Sequence, residues 1–509
     1  MLVLLFLLLT AGTDAFHTNI TVGLTPSPLV AELGPNFVGF SVEVSGILGM
    51  VGSTGTNSKF ARVLQNLADL TPEPHAGPVL RVGGNSADDS CYQSPNTGAY
   101  AGCKHNITAA DLLAYKTFAM STAAAANVSY VIDTNFGLSP DPQLVATGHI
   151  KALGEHGLWP FVKAVEVGNE VDIYAKPGNP AEQKAKGHRN MSYGYAYYEP
   201  EFASFVSAFR TAGMPERSVQ GATYASFKAD FSGNVSSYIS KHHTELSSFS
   251  WHRYPISHCN GRNVTQADLL ADHAVQSQAD ELGAYAHLAE AANIPFWVGE
   301  GNSCSCGGMP GVSDTFTTAL WVVDFLPALA AVGVRGMNFH GGPRGVYPAV
   351  GFEAGGGLEV RPLYYGLLMF SEFAANYSRL LPTTAVSDGG GVAPGGDPAC
   401  ERGIQAGGVC CLATCGSCDG PGCNDRPGGS GGCCNRAIAT ANVSCDASKA
   451  PCVIDSGLLR DAVHTHSAVD TAGNIKVIMV AKALKEAEDD PWTVNVCLNL
   501  TGSAGSPRV

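Results

Sequence analysis

Two short stretches of the chain end abruptly in an acid. "AVEVGNEVDIY", Ala164 to Tyr174, alternates apolar residues up to Val167 and then turns through Gly168, Asn169 and Glu170; "FWVGE", Phe296 to Glu300, closes in the same way. A pair of carboxylates about 5–5.5 Å apart suits cleavage of a glycosidic bond with retention: one attacks the anomeric carbon, while the other protonates the leaving oxygen and then activates water. The attacker must be ionised while its partner is protonated. Negative charge on Glu300 favours the protonated form of Glu170 by like-charge repulsion, until a glycosyl ester removes that charge. Asn169, beside Glu170, is suited to hydrogen-bond the hydroxyl next to the anomeric carbon, an interaction that strengthens in an oxocarbenium-like transition state.

Acids so far apart in sequence meet only if the fold brings two strand ends together. Eight β-rich runs carry a Gly, Asn, Glu or Tyr at their last or next-to-last position: 38–44, 79–85, 129–136, 164–170, 218–224, 247–254, 295–300 and 335–342. Between them lie amphipathic or Ala-rich segments at 58–70, 110–126, 200–212, 266–292 and 314–332. This alternation predicts an α/β fold, a (β/α)8 barrel, whose chemistry gathers at the C-terminal ends of the strands. Those ends carry Glu43, Asn85, Asn135, Asn169, Glu170, His252, Tyr254, Glu300 and His340. Any one of them is equally well explained as a helix cap or turn residue; the collection on one face is what points to a site.

Length and composition fit a large barrel with an accessory domain: 509 residues, 60 glycines and only 15% charged residues describe many tight turns between buried elements. The net charge of −14 argues against a nucleic-acid partner, which needs clustered Lys and Arg. "MLVLLFLLLTAGTDA" at 1–15 reads as a signal peptide, too short to span a bilayer. The other long apolar tract, 315–339, is interrupted by Asp324 and reads as a helix followed by a strand, so no transmembrane segment is expected. Nine sequons, at Asn19, Asn106, Asn127, Asn190, Asn234, Asn263, Asn376, Asn442 and Asn499, agree with a secreted glycoprotein, or one delivered to a vacuole or lysosome. The sixteen cysteines, eleven of them between Cys400 and Cys497, point to an oxidising compartment.

The expected domains are the barrel at 38–375 and a β-sandwich at 376–509, to which 16–37 contributes, its run 16–30 as an edge strand. A Cys- and Gly-rich insertion occupies about 385–455. Its Cys415 and Cys418 have the spacing of a metal or redox pair, but the adjacent pairs Cys410–Cys411 and Cys433–Cys434 favour a disulfide-tied loop. No Gly-x-Ser-x-Gly elbow is present. His252 and His340 find no third ligand at metal-site spacing and read as partners of carboxylates or sugar; neither a metal nor a cofactor is expected. Glu166 reads as a barrel-layer residue, and Glu353 and Glu359 as solvated loop acids.

Taken together, "FSVE" at 40–43, "LRVGGNSADD" at 80–89, "VEVGNEVDIY" at 165–174 and the long stretch from Phe296 through "GVSDTF" to Leu326 resemble the retaining β-glucuronidase and heparanase family, glycoside hydrolase family 79. "SWHRYP" and "NFHGGPRGVYP" add to the resemblance, which covers about residues 36 to 375. It implies Glu170 as acid/base, Glu300 as nucleophile and Tyr254 as a hydroxyl orienting the nucleophile. Glu43, Asn85 and Asp88, with Asn169, would line the sugar subsite; Tyr347 and the backbone N–H groups of Gly307 and Gly308 would receive a uronate carboxylate. The chain departs from some relatives at "CSC", Cys304 to Cys306, where they carry an aromatic residue and a further glycine. The function implied is an exo-β-glucuronidase acting on glycans or proteoglycans. An endo-acting heparanase-like enzyme, a neutral-sugar β-glycosidase and a non-catalytic carbohydrate-binding or cell-surface protein are the alternatives.

Overall fold

The computed structural model describes residues 3–7, 15–23, 33–69, 76–93, 103–137, 141–175, 189–352, 357–388, 463–481 and 493–501. Eight strands close into a parallel barrel: β1 Val38–Glu43, β2 Val79–Gly83, β3 Ser129–Thr134, β4 Val162–Val167, β5 Val219–Tyr224, β6 Leu246–Arg253, β7 Phe296–Gly301 and β8 Val334–His340. Each pairs with its sequence neighbours, and β8 returns to β1 through Met337 opposite Val38 and Phe339 opposite Phe40. The predicted runs match these strands but overshoot several ends. Asn169 and Glu170 lie beyond β4, where the chain leaves the ladder and turns its side chains into the barrel mouth.

Among the described residues, eight longer helices follow the strands: α1 Ser58–Ala68, α2 Ala109–Thr122, α3 Pro142–Glu155, α4 Tyr195–Thr211, α5 Val235–His242, α6 Gln276–Ala291, α7 Thr317–Ala331 and α8 Pro362–Ala374. Local chemistry starts several of them. Asn57 accepts the Phe60 N–H ahead of α1, Thr108 and Asp111 form a reciprocal cap on α2, and Asp141 accepts the Leu144 N–H of α3. The long apolar tract resolves into α7, buried on nearly all sides, and β8, as expected. The segment 266–292 is not one helix: a short helix at Gln266–Leu270 stops at Ala271, whose extended backbone starts a 3-10 turn, Asp272–Ala274, before α6.

Barrel interiors are commonly filled by layers of Val, Ile and Leu. Here the interior also carries Ser41, Arg81, Asp133, Glu166, Gln220, Ser248 and Asn338, all buried. Val79, Val131, Ala164 and Trp297 form a small apolar cluster, and the Lys163 Nζ sits 3.5 Å above the Trp297 ring. So dense a polar core needs partners for each group, and those partners build the site described below.

The chain divides into two units, one holding residues 26–380 with 468–476 and the other 1–25, 381–467 and 477–509. A four-stranded sheet runs in the order Val3–Leu7, Ile475–Ala481, Val463–Val469, Arg379–Leu381. In a three-stranded sheet Ala15–Gly23 is central rather than at an edge, antiparallel to Thr383–Asp388 and parallel to Thr493–Thr501. The cysteines 410, 411, 415, 418, 433 and 434, and Glu353 and Asn442, lie outside the described residues. Of the other sequons, Asn106, Asn127, Asn190 and Asn263 are exposed and Asn234 and Asn376 half-buried, while Asn19 and Asn499 stand in paired strands. Among the described residues, no helix is long and apolar enough to cross a membrane.

Candidate active site

Glu300, near the end of β7, is held at both oxygens. Tyr254, just past β6, donates its hydroxyl to Oε1 at 2.8 Å, and Arg81 Nη1 donates to Oε2 at 2.6 Å. The His340 Nδ1, at the end of β8, lies 3.4 Å from Oε2. Burial by itself would raise this carboxyl, but His340, His252, Arg81 and the Tyr254 hydrogen bond outweigh it and hold it well below the usual carboxylate range. The ionised form that a nucleophile needs is therefore the resting form. Burial and the Glu300 charge push the Tyr254 phenol far above its usual value, so it acts as a donor.

Arg81 organises the whole arrangement. It lies in the middle of β2, fully buried, and each of its five N–H groups has one acceptor. Nε donates to Glu166 at 2.6 Å; Nη1 to Glu300 at 2.6 Å and to Ser41 at 3.1 Å; Nη2 to Asn169 at 2.9 Å and to Asp133 at 3.4 Å. Burial opposes the guanidinium charge, and Glu166, Glu300 and Asp133 together more than offset it. Glu166 is held on its other oxygen by Gln220 at 2.7 Å, and Ser248 in turn donates to Gln220 at 2.9 Å. For Asp133, burial and the neighbouring Glu166 push the carboxyl well above the usual range, against the opposite pull of the Arg81 charge.

Because Arg81 donates to the Asn169 Oδ1, the Asn169 amide nitrogen must face the other way. It points to Asn85 Oδ1, 3.3 Å away, on the cleft side. Glu170 follows in the left-handed conformation, φ 57° and ψ 46°, and its N–H donates to the carbonyl of Thr223, itself left-handed at φ 56°. Such conformations cost on the order of 1 kcal/mol or more per residue and are found where the surroundings fix them. His252 Nδ1 lies 3.1 Å from Glu170 Oε1.

One set of distances bears on the chemistry directly. A carboxylate oxygen of Glu170, a carboxylate oxygen of Glu300 and a ring nitrogen of His252 all lie within 4.8 Å of one another. That separation fits double displacement and leaves no room for the water an inverting enzyme places between its acids. The same three atoms are close enough to hold a cation, a proximity that sequence spacing did not reveal. The Arg81 guanidinium on Glu300 works against one there.

The remaining predicted residues fall into three groups. Glu43 and Asn85 flank the site: Glu43 Oε2 accepts the Ser86 N–H at 2.8 Å and the Ser86 hydroxyl, and its other oxygen is 3.8 Å from His340 Nε2. Gly84 is left-handed at φ 78°, and a Cβ there would lie 2.7 Å from the Glu43 carboxyl, so a side chain would be strained and would displace that carboxyl. Asp88 has both oxygens taken by the protein, from the Phe136 N–H at 3.1 Å and from the Tyr174 hydroxyl; burial pushes its carboxyl up to about 7. Asn135 likewise braces its own turn, bonding Ser90 and Gly137. Across the mouth, Tyr347 packs edge-on to Tyr254 and nearly parallel to His340, beside Gly307 and Gly308. Glu359 is half-exposed and paired with Arg361 at 2.8 Å. Sequence reasoning singled out neither Arg81 nor Ser41.

The closed eight-stranded parallel barrel with helices between its strands is a TIM barrel, with one acid just beyond its fourth strand and another near the end of its seventh. A 4-O-α-L-rhamnosyl-β-D-glucuronidase from Fusarium oxysporum 12S superposes with a TM-score of 0.57 at 18% identity, over 72% of this chain and 78% of that one. A GH51 arabinofuranosidase from Xanthomonas axonopodis pv. citri gives 0.55 at 12% identity, over 96% and 88%. These structures show the shared fold. No profile of a known protein family matches the chain. In sequence the chain is similar to two β-glucuronidases: one from Neurospora crassa is 25% identical over 338 residues, 60% of this chain and 57% of that protein. One from Aspergillus niger is 27% identical over 337 residues, 60% and 58%. The matches thus span under three fifths of the curated relatives' length, and they bear out the resemblance carried by the motifs.

Proposed function

We propose that the protein is a retaining β-glycosidase, an exo-β-glucuronidase that releases glucuronic acid from glycans or proteoglycans by double displacement. The observation that carries this reading is the approach of the Glu170 and Glu300 carboxylates to within 4.8 Å, with Glu300 held ionised. Glu300 attacks the anomeric carbon as Glu170 donates its proton to the departing oxygen, giving a glycosyl ester on Glu300 and a free aglycone. Glu170, now a carboxylate, takes a proton from water, whose oxygen attacks the anomeric carbon and returns Glu300 to its ionised form. Arg81 and Tyr254 keep the nucleophile in place, and Asn169 presents its amide to the neighbouring hydroxyl.

Two supports favour a uronic acid over a neutral sugar: the sequence relatives are β-glucuronidases, and Tyr347 stands beside the left-handed Gly307 and Gly308 at the mouth. Successive backbone N–H groups in a turn form a concavity of the kind that binds anions, which suits a carboxylate. Passage through an oxidising compartment belongs to the same reading, supported by the disulfides Cys91–Cys103 and Cys259–Cys306. The test is hydrolysis of an aryl β-glucuronide, compared with the glucoside and galactoside, followed by mass spectrometry of protein trapped with a fluorinated glucuronide. A label on Glu300 is the expected result; turnover of neutral glycosides alone, or a label elsewhere, overturns it.

A further inference from the structure

The "CSC" sequence after β7, where the chain departs from some of its relatives, is tied into the site in a way the function so far does not use. Cys306 is disulfide-bonded to Cys259, 47 positions earlier, in the loop after β6. The same two loops form a short parallel pair, Ile256 opposite Cys304 and Ser257 opposite Ser305, and His258 Nε2 lies 2.9 Å from the Cys306 carbonyl. These ties converge on one turn. Cys306, Gly307 and Gly308 are left-handed in succession, at φ 61°, 87° and 86°. Gly308 lies so close to Tyr347 that a Cβ would sit 2.7 Å from the Tyr347 Cβ. Cys306 has a Cβ and pays for its left-handed backbone, so something must hold it there.

At its other end, the tied loop begins two residues after Tyr254, which holds Glu300. The crosslink thus joins the loop that orients the nucleophile to the turn beside Tyr347. We propose that the Cys259–Cys306 disulfide is a specificity-determining crosslink, fixing the Cys306–Gly308 turn so that its N–H groups and Tyr347 receive the substrate's carboxylate. This rests on the glucuronidase reading. Removing the crosslink loosens contacts made equally to bound substrate and transition state, so it acts on KM and leaves kcat in place.

The experiment compares the parent with the Cys259→Ser/Cys306→Ser variant on an aryl β-glucuronide, with free glucuronic acid and free glucose as competing inhibitors. The variant is expected to raise KM about tenfold, the loss of roughly one hydrogen bond to a charged group, with kcat within about twofold. The inhibition constant of glucuronic acid rises in step and that of glucose does not. If the variant fails to fold, graded reduction of the folded parent, stopped by alkylation, gives the same readout: KM must follow the fraction of Cys259 alkylated. An unchanged KM, a fall in kcat alone, or equal weakening of both sugars overturns the crosslink proposal while leaving the glucuronidase reading intact. A parent inactive on every aryl β-glucuronide overturns both.

Discussion

Replacing Arg81 by Met separates two things the guanidinium does. Its removal leaves Glu166 as a buried carboxylate without its ion pair, which breaks a bond of 2.6 Å in a fully buried setting. Breaking such a pair from one side costs about 3–5 kcal/mol of stability. Activity falls for a different reason. Glu300 loses an ion-paired bond of 2.6 Å, and Asn169 loses the bond of 2.9 Å from the same charged guanidinium that orients its amide. At about 1.5–3 kcal/mol for each, kcat/KM should drop about 10²- to 10⁴-fold. The discriminating step is to add Glu166→Gln to the Arg81→Met protein. Neutralising the orphaned charge should recover about half or more of the lost stability by denaturant titration. It should leave kcat/KM on an aryl β-glucuronide where it was, because the new amide supplies nothing to Glu300 or Asn169. If activity returns together with stability, the loss came from misfolded protein and the assignment of Arg81 to the nucleophile is wrong.

Other perturbations act on single groups. Glu300→Gln should abolish turnover with every leaving group, whereas Glu170→Gln should lose about 10²–10⁴-fold on poor leaving groups and accumulate glycosyl-enzyme with good ones; equal losses across leaving groups would reverse the assignment. Asp88, raised to about 7 in the folded protein from an ordinary value of 3.8, binds its proton more tightly when folded, so it contributes stability that is full below about 4 and is lost as pH rises through about 7. Asp88→Asn should flatten the decline of melting temperature over that window, and an unaltered slope counts against a buried, proton-binding Asp88. For Lys163, burial lowers the ammonium from 10.5 to about 7, so the unfolded chain binds the proton more tightly and stability increases with pH across that range. Lys163→Met should therefore raise the melting temperature more at pH 6 than at pH 10; the opposite order would contradict it.

The barrel was legible because its strands are short, β-rich and end in polar residues, and because two of those ends carry glutamates. Glu170 alone is ambiguous in sequence; it is the strand number of Glu300 that gives it a partner. Arg81 escaped notice although its signal was present. It is a lone cation inside the apolar run "VLRVG", just as Asp133 stands in "VIDT" and Glu166 in "VEV". A charge in a strand buried on both faces must find an opposite charge, so three such strands in one barrel imply a shared interior cluster. Helix α3 carried a comparable signal in Asp141-Pro142, a cap followed by a first-turn proline. The break at Ala271 had none, since "ADLLADHAVQSQAD" keeps helical periodicity through a turn set by tertiary packing.

The partners of Arg81 also constrain the order in which the chain can assemble. Ser41 is 40 positions away, Asp133 52, Glu166 85, Asn169 88 and Glu300 219. A nascent half-barrel of β1 to β4 can satisfy four of the five donors, yet one face of the guanidinium stays open until β7 arrives. Contacts at such separation form late, after the entropy of closing a long loop has been overcome. The residue read here as the nucleophile is thus also the last counter-charge to reach the interior, so a barrel that misplaces β7 is left both inactive and electrically unfinished.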